Sequence, residues 1–515
     1  MSSSETLNVL EEKNNMNNRL ILEGLLVGVL AGIIAVIYRL MLSNAEHFLF
    51  NAIHFIKDKS LYILWFIFLM ILAFIVSKFL KYEPYISGSG IPQVEAEVKA
   101  KIDECWYKVL ISKMIAGTLC IIGGLSLGRE GPSIQLGAMS GKGISKLFHR
   151  LKSEENFLIV CGAAAGLSAA FNAPLAGIMF ALEEVHKNFS SGAIISVMSA
   201  SLIADFISRI VFGMSPSLHY VISENMPLNY YYWIIIIGVV ASLCGIVYNK
   251  GTVFILKLYD RIPLKKYNKV YIAFILSGIM AFVLPEMLAG GHTMVEYLNG
   301  NHIVLSTLLT YLIIKFVFSA LCFGSGAPGG IFFPMLIIGS LIGAILGKKA
   351  MMCGVESTLF FNFIILAMAA FFSSIVRAPL TGIILITEMC GTMKILLPIA
   401  LVSFVSYMVA NVLRSEPIYE SLLERLVGKS NNDYILENKI LVTHIVEMGS
   451  ACVSLKVKDI HLPRPCLFVS VVRGNVELIP RGETTLYPGD EVIMLVDKEY
   501  YRLAKKEISE LFESM

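Results

Sequence analysis

Long apolar runs without a single charge alternate with short polar stretches over the first four-fifths of the chain. Six windows contain no Asp, Glu, Lys or Arg: residues 156–182, 188–204, 225–249, 316–347, 357–376 and 395–413. Several of them reach the ~20 residues that a helix needs to cross a bilayer. Weaker apolar stretches, at 20–42, 60–80, 107–127 and 268–288, bring the expected total to roughly ten or more helices, many interrupted by Gly or Pro. The pattern predicts an all-α polytopic membrane protein.

The pattern changes near residue 430, where VGKSNNDYILENK ends the apolar territory. Beyond it, ACVSLKVKDI is predicted to supply a first strand, and CLFVSVVRG and NVELIPRG a hairpin that turns at Arg473-Gly474-Asn475. The turn YPGD precedes a further strand, EVIMLV, and KEYYRLAKKEISELFESM is predicted to close the chain as an amphipathic helix. We therefore expect an N-terminal segment (1–19), a transmembrane domain (20–428) and a small α/β domain (429–515).

Composition agrees with a membrane protein and excludes other classes. Of the 515 residues, 56% are hydrophobic and only 16% are charged. A soluble protein could hardly bury so much apolar surface. The formal net charge of +3 gives neither a basic nor an acidic surface, so nucleic acid is not expected as a partner. The nine cysteines form no CxxC pair and are interpreted as small buried hydrophobes, so we expect no metal site and no cofactor.

Two parts of the membrane region repeat each other. NAPLAGIMFALEE (172–184) and RAPLTGIILITEM (377–389) align without gaps, which places Pro174 with Pro379 and Glu183 with Glu388. GREGPSIQLGAMSG is echoed near GGIFFPMLIIGSLIG, since both are Gly-rich, Pro-containing turns that lead into an apolar helix. Duplicated halves with interrupted helices are typical of transporters, whose binding site lies between the halves. The residues leave open whether the halves are inverted.

Four Gly- or Pro-containing features are candidates for helices that begin inside the membrane: the segments 87–93, 128–132 and 324–334, and the two APL turns at 173–175 and 378–380. A helix that begins there directs unpaired N–H groups and a partial positive charge into a cavity, which favours an anion. Glycine lets the backbone approach such a ligand closely. Ordinary caps and kinks are the alternative interpretation. A dinucleotide-binding or phosphate-binding loop is not expected, because no βαβ pattern surrounds these glycines.

Four motifs together resemble the CLC family of chloride channels and proton-coupled chloride exchangers. They are GSGIP at 88–92, GREGP at 128–132, GGIFFP at 329–334 and the tyrosine of EPIYESLL, Tyr419, and they occur in family order over roughly residues 20–425. The tail from about 435 resembles a TrkA-C (RCK-C) regulatory domain. The resemblance implies an internal inverted repeat, a homodimer, cytoplasmic termini and a bacterial plasma membrane. It also implies that the tail binds a small molecule.

The resemblance assigns Glu130, the glutamate of GREGP, as a gate whose carboxylate occupies the anion path until it is protonated. A carboxylate and a chloride can compete for one helix N-terminus, because the same amides stabilise both. A cap that is salt-bridged to Arg129 is the plainer alternative. The other residues that we expect around the anion are the hydroxyl ligands Ser89 and Tyr419, the amides of Ile331 and Phe332, and the neighbours Gly128, Arg129 and Gly131.

The paired carboxylates Glu183 and Glu184 follow a long uncharged helix. By itself the pair is typical of a solvated helix end beside His186 and Lys187, and we expect His186 to be a surface or interfacial histidine. The family resemblance assigns Glu184 to internal proton transfer, a position where passive channels usually carry an apolar residue, and gives Glu183 a supporting role.

The sequence therefore predicts a secondary active antiporter that exchanges chloride for protons across a lipid membrane. A passive voltage- or pH-gated chloride channel of the same fold is the alternative. A potassium-uptake component is suggested by the tail alone, but no TVGYG-like filter accompanies it. An enzyme is not expected, since no nucleophile and base accompany the carboxylates.

Overall fold

The computed structural model describes residues 3–187, 191–218, 220, 226–300, 304–428, 439–447, 450–462, 466–473, 476–497, 500, 508 and 511–512. The chain divides into two compact units, Met1–Leu426 and Val427–Met515. The first unit is helical, and the second contains the β-sheet.

The helices of the first unit differ widely in length. In the described residues they are α1 Ser3–Lys59, α2 Tyr62–Tyr82, α3 Ile91–Val98, α4 Trp106–Ile122, α5 Glu130–Leu147, α6 Lys152–Phe171, α7 Pro174–Phe180, α8 Ser191–Phe212, α9 Tyr231–Arg261, α10 Val270–Val283, α11 His292–Gly300, α12 Leu305–Gly324, α13 Phe332–Met352, α14 Phe360–Val376, α15 Pro379–Cys390, α16 Leu396–Val412 and α17 Ile418–Val427. A π-helical segment, Ala181–His186, continues α7.

Eight helices of the described residues are long and apolar enough to cross a membrane. Shorter apolar helices, α15 and α16, add to them. The charge-free window 156–182 is not one span, because the chain breaks between α6 and α7: Asn172 adopts a positive φ of 54° and Pro174 begins the next helix. The expectation of a polytopic helical membrane protein is confirmed, and its interrupted helices lie where Gly and Pro predicted them.

Helices α5 and α6 lie in direct backbone contact in the interior of this unit. A Cβ at Gly137 would lie 2.1 Å from the carbonyl oxygen of Gly162, and a Cβ at Gly162 would lie 2.0 Å from that of Gly137. Small residues permit such close packing between membrane helices. This contact fixes the position of α5, the helix that begins at Glu130.

The repeated segments contact each other reciprocally. The carboxylate of Glu183 accepts hydrogen bonds from the N–H groups of Leu380 (3.2 Å) and Thr381 (2.7 Å) at the start of α15. Its counterpart Glu388 accepts from the corresponding N–H groups at the start of α7, those of Leu175 (3.1 Å) and Ala176 (2.8 Å). A reciprocal contact of this kind is what a two-fold relation between the repeats requires.

The second unit contains a four-stranded antiparallel sheet in the order β1-β4-β2-β3. Its strands are β1 Lys439–Ile445, β2 Cys466–Arg473, β3 Val476–Leu478 and β4 Glu491–Asp497. The predicted hairpin is confirmed, since Arg473 pairs with Val476, while Gly474 and Asn475 lie outside the described residues. Most of the predicted C-terminal helix also lies outside them.

The prediction of a first strand in ACVSLKVKDI was wrong. The first strand is instead β1, which lies before that segment, and only an isolated bridge joins Lys456 to Thr485. Apolar residues alternate in this segment as they do in a strand, but Ser454 adopts a positive φ of 63°, which turns the chain.

Candidate anion and proton site

Three interrupted helices begin close together in the helical unit: α3, α5 and α13. Their preceding loops are joined backbone to backbone, since Gly128 and Gly330 exchange two hydrogen bonds of 2.6 and 2.8 Å and the N–H of Gly329 donates to the carbonyl of Gly88 (3.0 Å). N–H groups in the first turn of a helix have no partner within the helix, and its N-terminal end is partially positive. Their convergence is a favourable place for an anion.

Ser89 lies at this convergence, in close contact with the start of α5. A Cβ at Gly131 would lie 2.2 Å from the Ser89 hydroxyl oxygen, so only glycine fits beside it. Ser89 is buried, and its hydroxyl has no hydrogen-bond partner in the described part of the chain. A buried hydroxyl normally has one. The hydroxyl is therefore free to donate to a ligand.

Tyr419 is the second residue of α17 and is fully buried. Its hydroxyl also lacks a hydrogen-bond partner among the described residues. The ring of Phe332, at the start of α13, packs against Phe372, Phe171 and Phe180, with centroid separations of 5.1, 5.6 and 6.3 Å. This aromatic packing fixes the first turn of α13, for which Ile331 is the N-terminal cap residue.

Glu130 is the first residue of α5, and its side chain is buried. The backbone N–H groups of Glu130 and Phe333 lie close to the carboxylate, yet neither carboxylate oxygen completes a hydrogen bond within the described residues. Arg129 Nε lies 3.9 Å from Glu130 Oε1, beyond hydrogen-bond distance. The two groups form an ion pair without a hydrogen bond, so a salt-bridged cap stays an alternative to the gate.

Cavities adjoin the site at Ser89 and at Glu130. One of about 300 Å³ ends at Ser89, and three cations, Lys266, Lys269 and Arg425, line it together with a single carboxylate, Asp260. Cationic walls raise the local concentration of anions. The cavity at Glu130 is much smaller, about 20 Å³. Ser89 and Glu130 therefore adjoin different cavities.

Glu184 lies on the π-helical segment and is buried. Its Oε1 atom has no hydrogen-bond partner within the described ranges. Tyr419 is within electrostatic range of both Glu184 and Glu130. Beside Glu184, Lys187 forms ion pairs with Glu95 (3.0 Å) and Glu420 (2.9 Å). π-helical turns are rare and are frequent at functional sites.

The structure places Glu183 apart from these groups, although it adjoins Glu184 in sequence. Its carboxylate faces the start of α15, where it also accepts a hydrogen bond from the Thr381 hydroxyl (2.7 Å). His186 is partly buried and lies 5.4 Å, ring to ring, from Phe157. Neither residue is brought to the convergence of helix starts.

One residue that supports the site was missed by the sequence reasoning. Lys113 is buried in α4, and its ammonium donates to the carbonyls of Ile86 (2.8 Å) and Gly88 (2.7 Å), which hold the loop before Ser89. A lysine in the middle of an apolar stretch was the signal that could have identified it, since ionisable residues within membrane helices are usually functional.

A helical membrane unit with interrupted helices around an anion-favouring centre defines a transport protein. Residues 68–411 match the family model for voltage gated chloride channels, and residues 441–509 match that for the TrkA-C domain. The chain belongs to the CLC family of channels and transporters, as its motifs predicted, and carries a C-terminal TrkA-C domain. Members of this family are not enzymes, and this chain is a multi-pass membrane protein.

Relatives and solved structures agree with this assignment. The chain is 32% identical over 438 residues to the H(+)/Cl(-) exchange transporter ClcA of Salmonella arizonae, covering 82% of this chain and 91% of the relative. A crystal structure of a slow cyanobacterial Cl-/H+ antiporter matches with a TM-score of 0.75 at 29% identity, covering 80% of this chain and 99% of that one. A CLC-type fluoride/proton antiporter, 22% identical with a TM-score of 0.65 over 78% and 97% of the two chains, shares the fold.

Proposed function

We propose that this CLC transporter exchanges chloride for protons across a bacterial plasma membrane. The observation that carries the proposal is a set of buried polar groups without partners in the described residues: the hydroxyls of Ser89 and Tyr419 and the carboxylate of Glu130. Buried polar groups are normally satisfied, so this set favours a bound ion. The similarity to exchangers from Salmonella and a cyanobacterium supports chloride and protons as the two ions.

In this proposal, chloride moves between the cationic cavity and the convergence of helix starts. The hydroxyls of Ser89 and Tyr419 and the N–H groups of Ile331 and Phe332 replace part of its water shell, and Gly128, Arg129 and Gly131 shape the backbone around it. Partial charges bind the ion weakly enough that it can leave again. No full cationic side chain needs to touch it.

Glu130 couples the two ions in this mechanism. Its carboxylate and a chloride ion compete for the same N–H groups, because both are anions. When Glu130 accepts a proton, its charge disappears and chloride takes its place. When chloride leaves, Glu130 ionises again and the proton departs. Anion movement in one direction therefore requires proton movement in the other.

Glu184 is proposed to carry protons between Glu130 and the cytoplasm. It is buried, and Tyr419 lies within electrostatic range of it and of Glu130. The ion pairs of Lys187 with Glu95 and Glu420 place further charged groups beside it. A titratable group at this depth in a membrane protein is typical of a proton relay.

The deciding experiment uses the purified protein in liposomes with a chloride gradient and a pH-sensitive dye. We expect the wild type to pump protons uphill, and Glu184→Gln to abolish pumping while chloride flux persists. Glu424→Gln, an exposed carboxylate on α17, is the matched control and should still pump. Pumping by Glu184→Gln would mean that the proton route bypasses Glu184. A wild type that conducts chloride without pumping would establish the passive channel instead.

Three further proposals accompany this function. We propose a homodimer with one anion path in each subunit and cytoplasmic termini, which follows from the family resemblance. The TrkA-C domain is proposed to bind a small cytoplasmic molecule and regulate transport. Fluoride is the competing anion, since a fluoride/proton antiporter has the same fold, and anion-binding calorimetry with chloride and fluoride distinguishes the two.

A further inference from the structure

A second carboxylate lies beside the proposed gate. Glu46, on α1, lines the cavity of about 20 Å³ together with Arg129, Glu130, Gly290 and Phe333. Leu42, one helical turn earlier on α1, lines the same cavity. A volume of this size holds about one water molecule. One water therefore fits in the cavity that Glu46 and Glu130 share.

The cavity lies on the side of Glu130 that is remote from Glu184. Glu46 is 27 residues after Arg19 on α1, which corresponds to about 40 Å along a helix. At the other end of this distance, Arg19 forms an ion pair with Glu154 (2.9 Å), which lies at the start of α6. The same end of α6 is linked to α3 by Lys152 and Glu97 (3.2 Å).

The chain of ion pairs continues to the proton-transfer region. Two residues before Glu97, Glu95 pairs with Lys187, the neighbour of Glu184 (3.0 Å). Arg19 and Glu184 thus belong to one end of the helical unit, and Glu46 lies far along α1 from that end. The two carboxylates approach Glu130 from opposite sides.

The surroundings of Glu46 hold its carboxylate in place beside the cavity. It is partly buried, and the N–H of Gly290 donates to it. The charged groups within its electrostatic range are Arg129, Lys315, the neighbouring His47 and Glu130. Lys315 in turn donates to the carbonyl of Met287 (2.8 Å). Cations that face Glu46 from two other segments offset the repulsion between two carboxylates.

We propose that Glu46 is the outer proton relay of the transporter, the counterpart of Glu184 on the other side of Glu130. This inference rests on the proposed proton exchange. Protonated Glu46 gives its proton to the water in the cavity, while that water gives one of its own protons to the Glu130 carboxylate. Glu46 ends as a carboxylate, Glu130 as a carboxylic acid, and the water is regenerated. The reverse sequence releases a proton to the outer side.

The test compares Glu46→Gln with a conservative variant, Glu46→Asp, and a matched control, Glu296→Gln, in liposomes. Glu296 is an exposed carboxylate on α11, the helix that follows Gly290 and Gly291. We expect coupled exchange to fall about tenfold or more in Glu46→Gln, to be partly restored in Glu46→Asp and to be unchanged in the control. The response of exchange to outer pH should weaken only in Glu46→Gln.

A second background separates a relay from a structural or electrostatic role. Glu130→Ala removes the proton acceptor, so chloride flux in that variant should not depend on Glu46. We expect Glu46→Gln to leave the chloride flux of Glu130→Ala unchanged. A fall in that flux would overturn the relay, because Glu46 would then act on the anion path or on folding.

Failure of this inference can be distinguished from failure of the proposed function. If the wild type pumps protons and Glu46→Gln pumps equally well at every outer pH, the exchanger stands and the outer relay is refuted. If the wild type does not pump, the exchange mechanism itself is wrong and the relay falls with it.

Discussion

At the scale of single residues, the site depends on buried polar atoms that have no hydrogen-bond partner among the described residues. Such atoms can bind a transported ion. The hydroxyls of Ser89 and Tyr419 lie near the helix starts and lack partners among the described residues. This position, and not the residue type, makes them candidate anion ligands. Glu130 differs, because its carboxylate is itself a competitor for the anion site. Substitutions at these positions should therefore change ion binding before they change folding.

Ser89→Pro should reduce the affinity for chloride and, as the resemblance to the CLC family implies for a proline at this position, favour nitrate. The change removes a hydroxyl donor, and a hydrogen bond to a charged group contributes about 1.5–3 kcal/mol, so chloride affinity should fall about tenfold or more. Isothermal titration with chloride and nitrate measures this. Ser87→Ala is the control, since the Ser87 hydroxyl donates to the carbonyl of Gly326 (3.0 Å) and not to an ion. Unchanged affinities for both anions in Ser89→Pro would show that Ser89 is not a ligand.

At the scale of elements, the interrupted helices depend on carboxylates supplied by the other repeat. Glu183 supports the start of α15, and Glu388 supports the start of α7. A carboxylate at a helix N-terminus satisfies otherwise unpaired N–H groups and interacts favourably with the helix dipole. Glu183 and Glu184 are thus adjacent in sequence, but the structure gives them different surroundings.

Glu183→Gln and Glu388→Gln should each destabilise the helical unit by about 1–3 kcal/mol, because each weakens charge-assisted hydrogen bonds to a helix start. The larger loss is expected for Glu183→Gln, because Glu183 also accepts a hydrogen bond from the Thr381 hydroxyl. Thermal unfolding in detergent measures them, with Glu296→Gln, an exposed carboxylate on α11, as the control. Both variants should still pump protons in proportion to chloride. If Glu183→Gln melted normally but lost pumping, Glu183 would belong to the proton route instead.

The β-sheet of the tail contains a carboxylate whose ionisation supports its fold. Burial opposes the charge of Asp490, but hydrogen bonds from Arg473 and the N–H of Tyr487 outweigh it and hold the pKa of this carboxyl below its usual range. The stabilisation is therefore complete above the usual aspartate pKa and is lost as the pH falls through the lower folded value.

Asp490→Asn should lower the stability of the tail at neutral pH by about 1–3 kcal/mol, since it removes the charge that pairs with Arg473. Hydrogen exchange of the β4 amides in the full chain measures the loss. Glu477→Gln, on β3, is the control, because its carboxylate accepts one bond from Ser470 and no ion pair is involved in the described contacts. Equal protection of β4 in wild type and Asp490→Asn at neutral pH would contradict the prediction.

At the scale of the whole molecule, the transport site and the tail belong to separate compact units. Every residue assigned to the anion or proton path lies before residue 427. Transport and regulation should therefore be separable.

Deletion of residues 429–515 should leave proton-coupled chloride exchange intact and remove the response to small molecules that bind the full chain. Flux assays in liposomes on the full and shortened chains measure both. The physical reason is that the shortened chain keeps every group assigned to the ion paths. A shortened protein that inserts into the membrane and dimerises but moves no chloride would show that the tail is needed for the pore itself.

The sequence by itself determined those features that depend on local chemistry. Apolar runs predicted the membrane helices, Gly and Pro predicted their interruptions, and the motifs around Ser89, Glu130, Phe332 and Tyr419 predicted the family. These are properties of short segments, so they can be recognised without knowledge of the fold. The false strand at ACVSLKVKDI shows the limit, because alternation alone did not reveal the turn at Ser454.

Only the tertiary structure decided which distant residues meet. It placed Glu183 against α15 and Glu388 against α7, brought Lys113 to the loop before Ser89, and put Glu46 beside Glu130. Each contact joins residues that are 25 or more positions apart in the chain, so no local pattern encodes it. A charged residue in an apolar helix indicates that a partner exists, but packing between helices selects which partner it is.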